Sequence, residues 1–512
     1  MSYLTKNGYN KLISDIPIEQ YKRIKKELTV SPQNFNLTEK EIEDSKYKLY
    51  GLIKNKNIIT LPKFYGIDVF GPPVFVKVSP DPIDIKFIGD LREKQTYVVN
   101  KTIVHMNKYG GGLISVPCGF GKTICGLKII AELKTKTLVV VHKTFLQIQW
   151  KEKIKEFLPS ASVGLIRQKI CSDGDIVIGI IHTISKKNYG SLFSKFGLVI
   201  FDEAHHIPSK FFSKTLLKTC TKYTLALTAT PYRNDGLIKV MYWFTGGTIY
   251  QEKIKINRCV IVKRINFTST DRLFKTKKRW MKGMMRYDTL KMSSNICEIE
   301  TRNYMIANII CHFIKNDKLR KILILSNYKK HLSVIKNQVD QYIEQQIKEG
   351  ALIQSDIYCG YYTGDVRPAE RAICEERGDI IFATYGMANE GLDIKHLNTV
   401  IIASPKKDVV QSVGRIMRTI LSSGDIKPLI IDLVDTLDVI ENWGDEREKK
   451  YRECEYEIHT HESMDGINPE TIIDIFPQYI LHENDFDTVV LDNDVVDIKK
   501  DIQLSNQYFE EI

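Results

Sequence analysis

The sequence predicts an α/β chain: two tandem parallel-sheet domains, a small α+β module ahead of them and an acidic tail behind. Three observations predict it. From about residue 110, short β-branched runs alternate with helical stretches, the pattern of parallel sheets. These runs fall into two series with a break near residues 245–260. The rhythm is absent before residue 85 and after about 460.

The first 85 residues begin helical and Lys-rich, then pass into Pro/Gly-punctuated extended segments such as LPKFYGIDVFGPPVFVKV (61–78). They are expected to form an N-terminal accessory module (1–85). The first strand series is GLISV (112–116), TLVVV (137–141), DIVIGII (175–181), LVIFD (198–202) and YTLALTA (223–229), giving a domain over 86–250. The second is KILILS (321–326), DIIFAT (379–384), TVIIAS (399–404) and PLIIDLVD (428–435), giving a domain over 251–450. Residues 451–512 are expected to be an acidic extension.

Charge sharpens this division. The chain has 512 residues, with 74 Lys and Arg against 62 Asp and Glu, a net +12. Residues 461–512 hold 13 acidic and two basic residues, so the body before them carries +23. A basic body of that size suits a polyanionic partner. The apolar runs LVIF and IVIGII are far too short to span a bilayer, and MSYLTKNGYNKLI has no signal-peptide pattern, so a soluble intracellular chain without a membrane partner is expected. Ten cysteines are scattered without one CxxC pair, which leaves no framework for zinc or an iron–sulfur cluster. Within the second domain, Arg272–Lys291 interleaves Trp280 and Tyr287 with eight basic residues, a composition suited to single-strand stacking or to a solvated surface.

The most informative local pattern is VPCGFGKT (116–123), directly after a strand and before a helix. Gly119 and Gly121 permit the tight turn that points backbone N–H groups at phosphates, and Pro117, Cys118 and Phe120 complete the loop. Lys122 is placed to reach the β- and γ-phosphates of ATP, and the Thr123 hydroxyl to ligate Mg²⁺. The loop has Val116 where the strict pattern has glycine. LVIFDEAHH (198–206) is an apolar strand ending in Asp202 and Glu203, at the sheet edge where parallel sheets bind ligands. Asp202 is expected to hold the metal. Glu203 is expected to orient or deprotonate the attacking water.

GFGKT, DEAH, LTATP (227–231) and QSVGRIMR (411–418), in this order and spacing, resemble the motif set of superfamily 2 helicases and translocases over roughly residues 90–435. That resemblance implies two RecA-like domains with ATP between them. Arg415 and Arg418 would act as arginine fingers, Gln411 and Asp393 would join that edge to the nucleotide, and His205, Thr228 and Thr230 would couple hydrolysis to strand movement. LREKQ (91–95) resembles an adenine-recognising element, making Arg92 and Gln95 base contacts. VHKTFLQIQW (141–150), GIIHTISKK (179–187), YYTGD (361–365) and ATYGMANEGLDI (383–394) resemble strand-contacting motifs and place Lys143, Thr144, Thr183, Thr363, Gly364 and Thr384 on nucleic acid.

TATPYRNDG (228–236) is similar to the XPB-like and phage-type branch, and ITLPKFYGIDVFG (59–71) to helicases of large DNA viruses and phages. The group includes the poxvirus transcript-release helicase and the phage branch-migration helicase. The resemblance implies a 3′→5′ DNA helicase or translocase in viral replication, recombination or transcription. It would work with that machinery in host cytoplasm or nucleus or be packaged in the virion. The alternatives are an RNA helicase or transcript-release factor, a restriction motor subunit, and an inactive helicase-like scaffold.

Overall fold

The computed structural model describes residues 1–32, 43–117, 119–187, 189–209, 212–229, 236–252, 259–281, 284–353, 357–390, 394, 396–409, 413, 425–465, 472–477 and 479–480. The chain divides into two units that meet in sequence at Lys253 and Ile254.

In the first unit, β1 (Ser2–Thr5), β2 (Gly8–Leu12), β5 (Gly51–Ile53), β6 (Ile58–Leu61) and β7 (Phe75–Val76) form a five-stranded sheet, beside a two-stranded pair of β3 (Thr29–Val30) and β4 (Tyr47–Lys48). A sheet this small cannot bury enough apolar surface alone. It therefore shares a core with the parallel domain behind it: Leu4, Tyr9 and Tyr65 join the cluster that holds Phe201, Trp243 and Phe244. Tyr65 meets Trp243 edge to face, with ring centroids 5.4 Å apart. Lys63, fully buried, ties the two together by donating to the carbonyls of Gly110 (2.8 Å), Thr221 (3.2 Å) and Lys222 (2.7 Å). Burial pushes its ammonium down to about 8. The separate module read from the sequence is thus built into the first unit.

The parallel domain contains β8 (Gly111–Ser115), β9 (Thr137–Val141), β10 (Val163–Arg167), β11 (Ile170–Cys171), β12 (Ile176–Ile180), β13 (Leu198–Asp202), β14 (Tyr223–Thr228) and β15 (Thr248–Gln251). Their order is β11-β10-β12-β9-β13-β14-β8-β15, and only the β10–β11 pair is antiparallel. Every residue of β8, β9, β12, β13 and β14 is buried, as expected of strands covered by helices on both faces. Parallel register brings the C-terminal ends of β8, β13 and β14 to one edge: Asp202 pairs with Leu227, and Thr228 with Ser115.

The second unit holds β16 (Ile261–Thr268), the hairpin β17 (Lys278–Met281) and β18 (Met284–Tyr287), then β19 (Ile322–Ser326), β20 (Cys359–Tyr362), β21 (Ile380–Thr384), β22 (Thr399–Ile402), β23 (Leu429–Asp435) and β24 (Glu457–Met464). Seven strands form an all-parallel sheet in the order β20-β21-β19-β22-β23-β16-β24. Strand β24 lies within the expected acidic extension, yet it pairs along its whole length with β16. Its polar alternation, EIHTHESM, is that of an edge strand, which hid it from the apolar-run criterion. Among the buried ion pairs of this unit, two centre on Arg302 and Arg447. Arg302 grips Asp435 with Nε at 2.7 Å and Nη2 at 3.0 Å, both side chains fully buried, and donates from Nη1 to the Ala403 carbonyl at 2.6 Å. Arg447 holds Asp432 with Nη2 at 2.7 Å and Nε at 2.9 Å.

Candidate active site

The phosphate-loop sequence sits between β8 and the helix Lys122–Leu133. Gly119 (φ +83°) and Gly121 (φ +93°) both take left-handed backbone, which side chains oppose. A Cβ on Gly121 would stand 2.4 Å from Gln95 Nε2 and would push that amide off the loop. Gln95 is buried; it donates to the Phe120 carbonyl at 2.7 Å and accepts from the Arg92 N–H at 2.9 Å. Arg92 Nη2 donates to the carbonyls of Gly119 (3.3 Å) and Phe120. Both residues read as base contacts thus brace the loop backbone. Pro117 is exposed and Phe120 buried, with the Arg92 guanidinium 5.9 Å from its ring centre. Thr123 is half-buried in the first turn of the helix. Cys118 lies outside the described residues.

At the end of β13 the chain turns sharply. Glu203 has φ +48°, a strained conformation for a residue with a side chain, costing on the order of 1 kcal/mol. The turn brings both carboxylates to the loop. Lys122 Nζ is 4.0 Å from Glu203 Oε1. His205 Nδ1 stands 3.4 Å from Glu203 Oε2 and 3.1 Å from Thr228 Oγ1, so one imidazole bridges the carboxylate and the end of β14. Among the described residues Glu203 Oε2 is buried without a hydrogen-bond partner, the nearby His205 Nδ1 lying out of hydrogen-bond alignment with it. Burial, with the Glu203 charge beside it, pushes the Asp202 carboxyl up to about 6, while Trp150 and Lys122 resist.

Trp150 was not read from the sequence as a site residue. Its indole N–H donates to Asp202 Oδ2 at 2.8 Å, with both groups buried. It lies on the helix Thr144–Phe157, whose buried face is Leu146, Gln147, Trp150 and Ile154. A polar-tipped aromatic on the buried face of this helix is the available signal. Gly126, on the phosphate-loop helix, leaves room for that indole: a Cβ there would lie 3.0 Å from its ring. A column of imidazoles also escaped notice, with His142 and His206 centroids 4.4 Å apart and His206 and His205 4.1 Å apart. His142 immediately precedes Lys143.

The expected strand contacts fall into two kinds. Lys143 and Thr144 are exposed where β9 gives way to its helix. Thr183 is buried, and its hydroxyl accepts from the Gln168 N–H at 3.2 Å. In the second unit, Thr363 and Gly364 follow β20, and Thr384 ends the adjacent parallel β21, so all three share that sheet's C-terminal edge. Gly364 is exposed; Thr363 is buried and donates to the Asp365 carboxylate. Thr230, Asp393, Gln411, Arg415 and Arg418 lie outside the described residues.

Within the first unit, Lys122, Thr123, Asp202 and Glu203 thus converge on a glycine loop at a helix N-terminus. That donor set fits a triphosphate with a divalent cation: loop amides and a lysine for phosphate, a hydroxyl and a carboxylate for the metal. Among the described residues, no group of three or more His, Cys, Asp or Glu could hold a metal unaided. A magnesium ion here would draw its remaining ligands from phosphate and water.

Two family models match the chain: the type III restriction enzyme res subunit over residues 88–233, and the helicase conserved C-terminal domain over 305–420. A protein of Acanthamoeba polyphaga mimivirus, named as an ATP-dependent RNA helicase, is 34% identical over 469 residues, covering 90% of this chain and 86% of its own. A protein of invertebrate iridescent virus 6, named as a helicase, is 29% identical over 395 residues, covering 72% and 82%. Among solved structures, a fragment of an HsdR subunit of a type I restriction enzyme from Vibrio vulnificus aligns with TM-score 0.50 and 16% identity, over 74% of this chain and 70% of that one. That likeness is one of fold.

Proposed function

Because this chain belongs to the superfamily 2 helicases of the large-DNA-virus type and is an ATP-hydrolysing helicase, we propose that its track is DNA, followed 3′→5′. The observation that carries the hydrolytic part is the convergence of Lys122 and Glu203 at 4.0 Å, with Asp202 beside them. Lys122 and the loop amides bind and orient the triphosphate. Glu203, its Oε2 without a hydrogen-bond partner among the described residues, aligns the attacking water and accepts its proton. Thr123 and Asp202 hold magnesium, which when bound neutralises charge on the phosphate oxygens. Arg415 and Arg418 supply further positive charge to the transferring phosphoryl group.

The bridge from Glu203 through His205 to Thr228 is the proposed coupling element. Loss or gain of the γ-phosphate changes what Glu203 faces, and the imidazole carries that change to the end of β14. Lys143, Thr144, Thr363, Gly364 and Thr384 contact phosphate and sugar, which gives grip without sequence preference. The Thr183 hydroxyl, engaged with the Gln168 amide, positions its loop.

The DNA reading is supported by the likeness of TATPYRNDG to the XPB-like and phage-type branch. A second reading, an RNA helicase or transcript-release factor, is favoured by the name carried by the mimivirus relative. ATPase stimulation by duplex and forked DNA against matched RNA separates the two. DNA substrates tailed at either end test the polarity: opening of 5′-tailed substrates alone would overturn it.

A further inference from the structure

The hairpin β17–β18 is bound to no third strand among the described residues. Its base is firmly held. The Asp288 N–H donates to the Lys277 carbonyl at 2.8 Å, and the Asp288 carboxylate caps the helix Thr289–Ile296 through the Lys291 N–H at 3.1 Å. Thr276 donates to the Asp438 carboxylate, and Met292 and Ile296 of that helix pack with Ile440 and Phe274. Above the base, Lys278, Arg279, Trp280, Met284, Met285 and Tyr287 are exposed and Arg286 is half-buried. A two-stranded ribbon standing free is marginal in water, so one carrying large apolar side chains is a surface kept for a partner.

The register shows what that partner meets. Lys278 opposes Tyr287 and Trp280 opposes Met285, so one face carries two aromatics at diagonal positions. Trp280 is 70% exposed and Tyr287 43%. The Lys278 ammonium rests 4.9 Å from the centre of the Tyr287 ring. On the other face Arg279 stands directly opposite Arg286. Asp288 Oδ2, at the base of the hairpin, lies 3.6 Å from Arg279 Nε and holds that guanidinium on this face. Around the hairpin, residues 272–291 hold eight basic residues and one acidic.

We propose that this hairpin is a second nucleic-acid site, a platform on which unpaired bases of single-stranded DNA stack against Trp280 and Tyr287 while Lys278, Arg279 and Arg286 take the phosphates. Lysine is depleted in protein–protein interfaces, whereas aromatics set among cations are what single strands bind. The choice of DNA rests on the function proposed above; the stacking chemistry does not read the 2′-hydroxyl.

Tryptophan emission gives a direct test in the full chain. Of four tryptophans, Trp150 and Trp243 are buried and Trp443 is half-buried, so Trp280 is the one a base can stack on. Oligo(dT) without nucleotide is expected to quench the emission, and the quench should vanish in Trp280→Phe. Anisotropy of labelled oligo(dT) should show Trp280→Ala weakened about 5- to 150-fold, the range for losing one stacked base, with Trp280→Phe retaining most of the affinity. Arg286→Ala should lower the salt dependence of binding by about one unit of slope. Unchanged affinity in Trp280→Ala, or a quench that survives in Trp280→Phe, would overturn the platform. Quenching by oligo(U) alone would overturn the choice of DNA. DNA-stimulated ATPase in the same samples tells the failures apart: if stimulation persists while the quench is absent, only the platform is wrong, and if stimulation is absent from the wild type, the motor reading itself fails.

Discussion

Replacing Trp150 by phenylalanine should raise the magnesium requirement of ATP hydrolysis far more than it changes the fold. The indole N–H is 2.8 Å from Asp202 Oδ2 in a fully buried setting. Phenylalanine keeps an aromatic ring against Gly126 but takes away the indole donor that holds that oxygen. Losing a hydrogen bond to a charged acceptor costs about 1.5–3 kcal/mol. Partners that orient a metal-binding carboxylate typically contribute about 10- to 100-fold to metal affinity. The magnesium concentration for half-maximal ATPase, measured at saturating ATP, should therefore rise about 10- to 100-fold. Excess magnesium should restore most of kcat. A thermal melt without nucleotide reports the packing loss separately. A variant with lowered melting temperature but an unshifted magnesium curve would refute the idea that Trp150 orients Asp202, reducing it to a core side chain.

Three further outcomes follow from the geometry. Thr228→Val removes the hydroxyl beside His205 at nearly constant volume, so strand displacement should fall about five- to tenfold, about the strength of one hydrogen bond, while ATPase changes little; equal loss of both in unwinding and phosphate-release assays would refute the coupling role. His331 is buried between Ser326 Oγ and Asn303 Oδ1, both at 2.9 Å, and burial with the Arg302 charge pushes it down to about 3. Its neutral form belongs to the folded state, so this stability is complete above the ordinary value of 6.5 and is lost as pH falls toward 3. Relative to His331→Gln, the wild type should lose about 2 kcal/mol between pH 6.5 and pH 5 in urea titrations, and parallel curves would contradict this. Arg302→Met strands the Asp435 charge and should destabilise the second unit by about 3–5 kcal/mol in denaturant titrations, with Arg302→Met/Asp435→Leu recovering most of the loss.

Strands buried on both faces announce themselves as unbroken apolar runs, and this is why β9 and β13 coincide with the segments read from the sequence. Strand β16 was hidden for the opposite reason. It is central, between β23 and β24, but carries Lys263 and Arg264. Arg264 is buried because Asp445 (2.7 Å) and Glu448, from a helix some 180 residues later, neutralise it. No local pattern can report a partner that distant. The basic segment around Trp280 was legible as composition, while its hairpin was not, since neither strand has a buried face to set a period of two.

At the site, the residues legible in advance were those whose chemistry depends on neighbours in the chain: the glycines, Lys122 and Thr123 of the loop, and the Asp202–Glu203 pair. What sequence could not supply was how distant segments brace them. Arg92 and Gln95 hold loop carbonyls, Trp150 holds Asp202, and His205 reaches Thr228. Each of these contacts spans more than 20 residues and exists only once the parallel strands are in register.

The central claim is that Lys122 and Glu203 belong to a nucleic-acid-driven ATPase site whose track is DNA. Phosphate release by the full chain, measured with single-stranded, duplex and forked DNA and with matched RNA, beside the same series for Lys122→Ala, tests it most directly. Hydrolysis should be stimulated most by duplex or forked DNA, with turnover abolished in Lys122→Ala while most DNA binding remains. Turnover in Lys122→Ala equal to wild type would contradict the site, and stimulation by RNA alone would contradict the track.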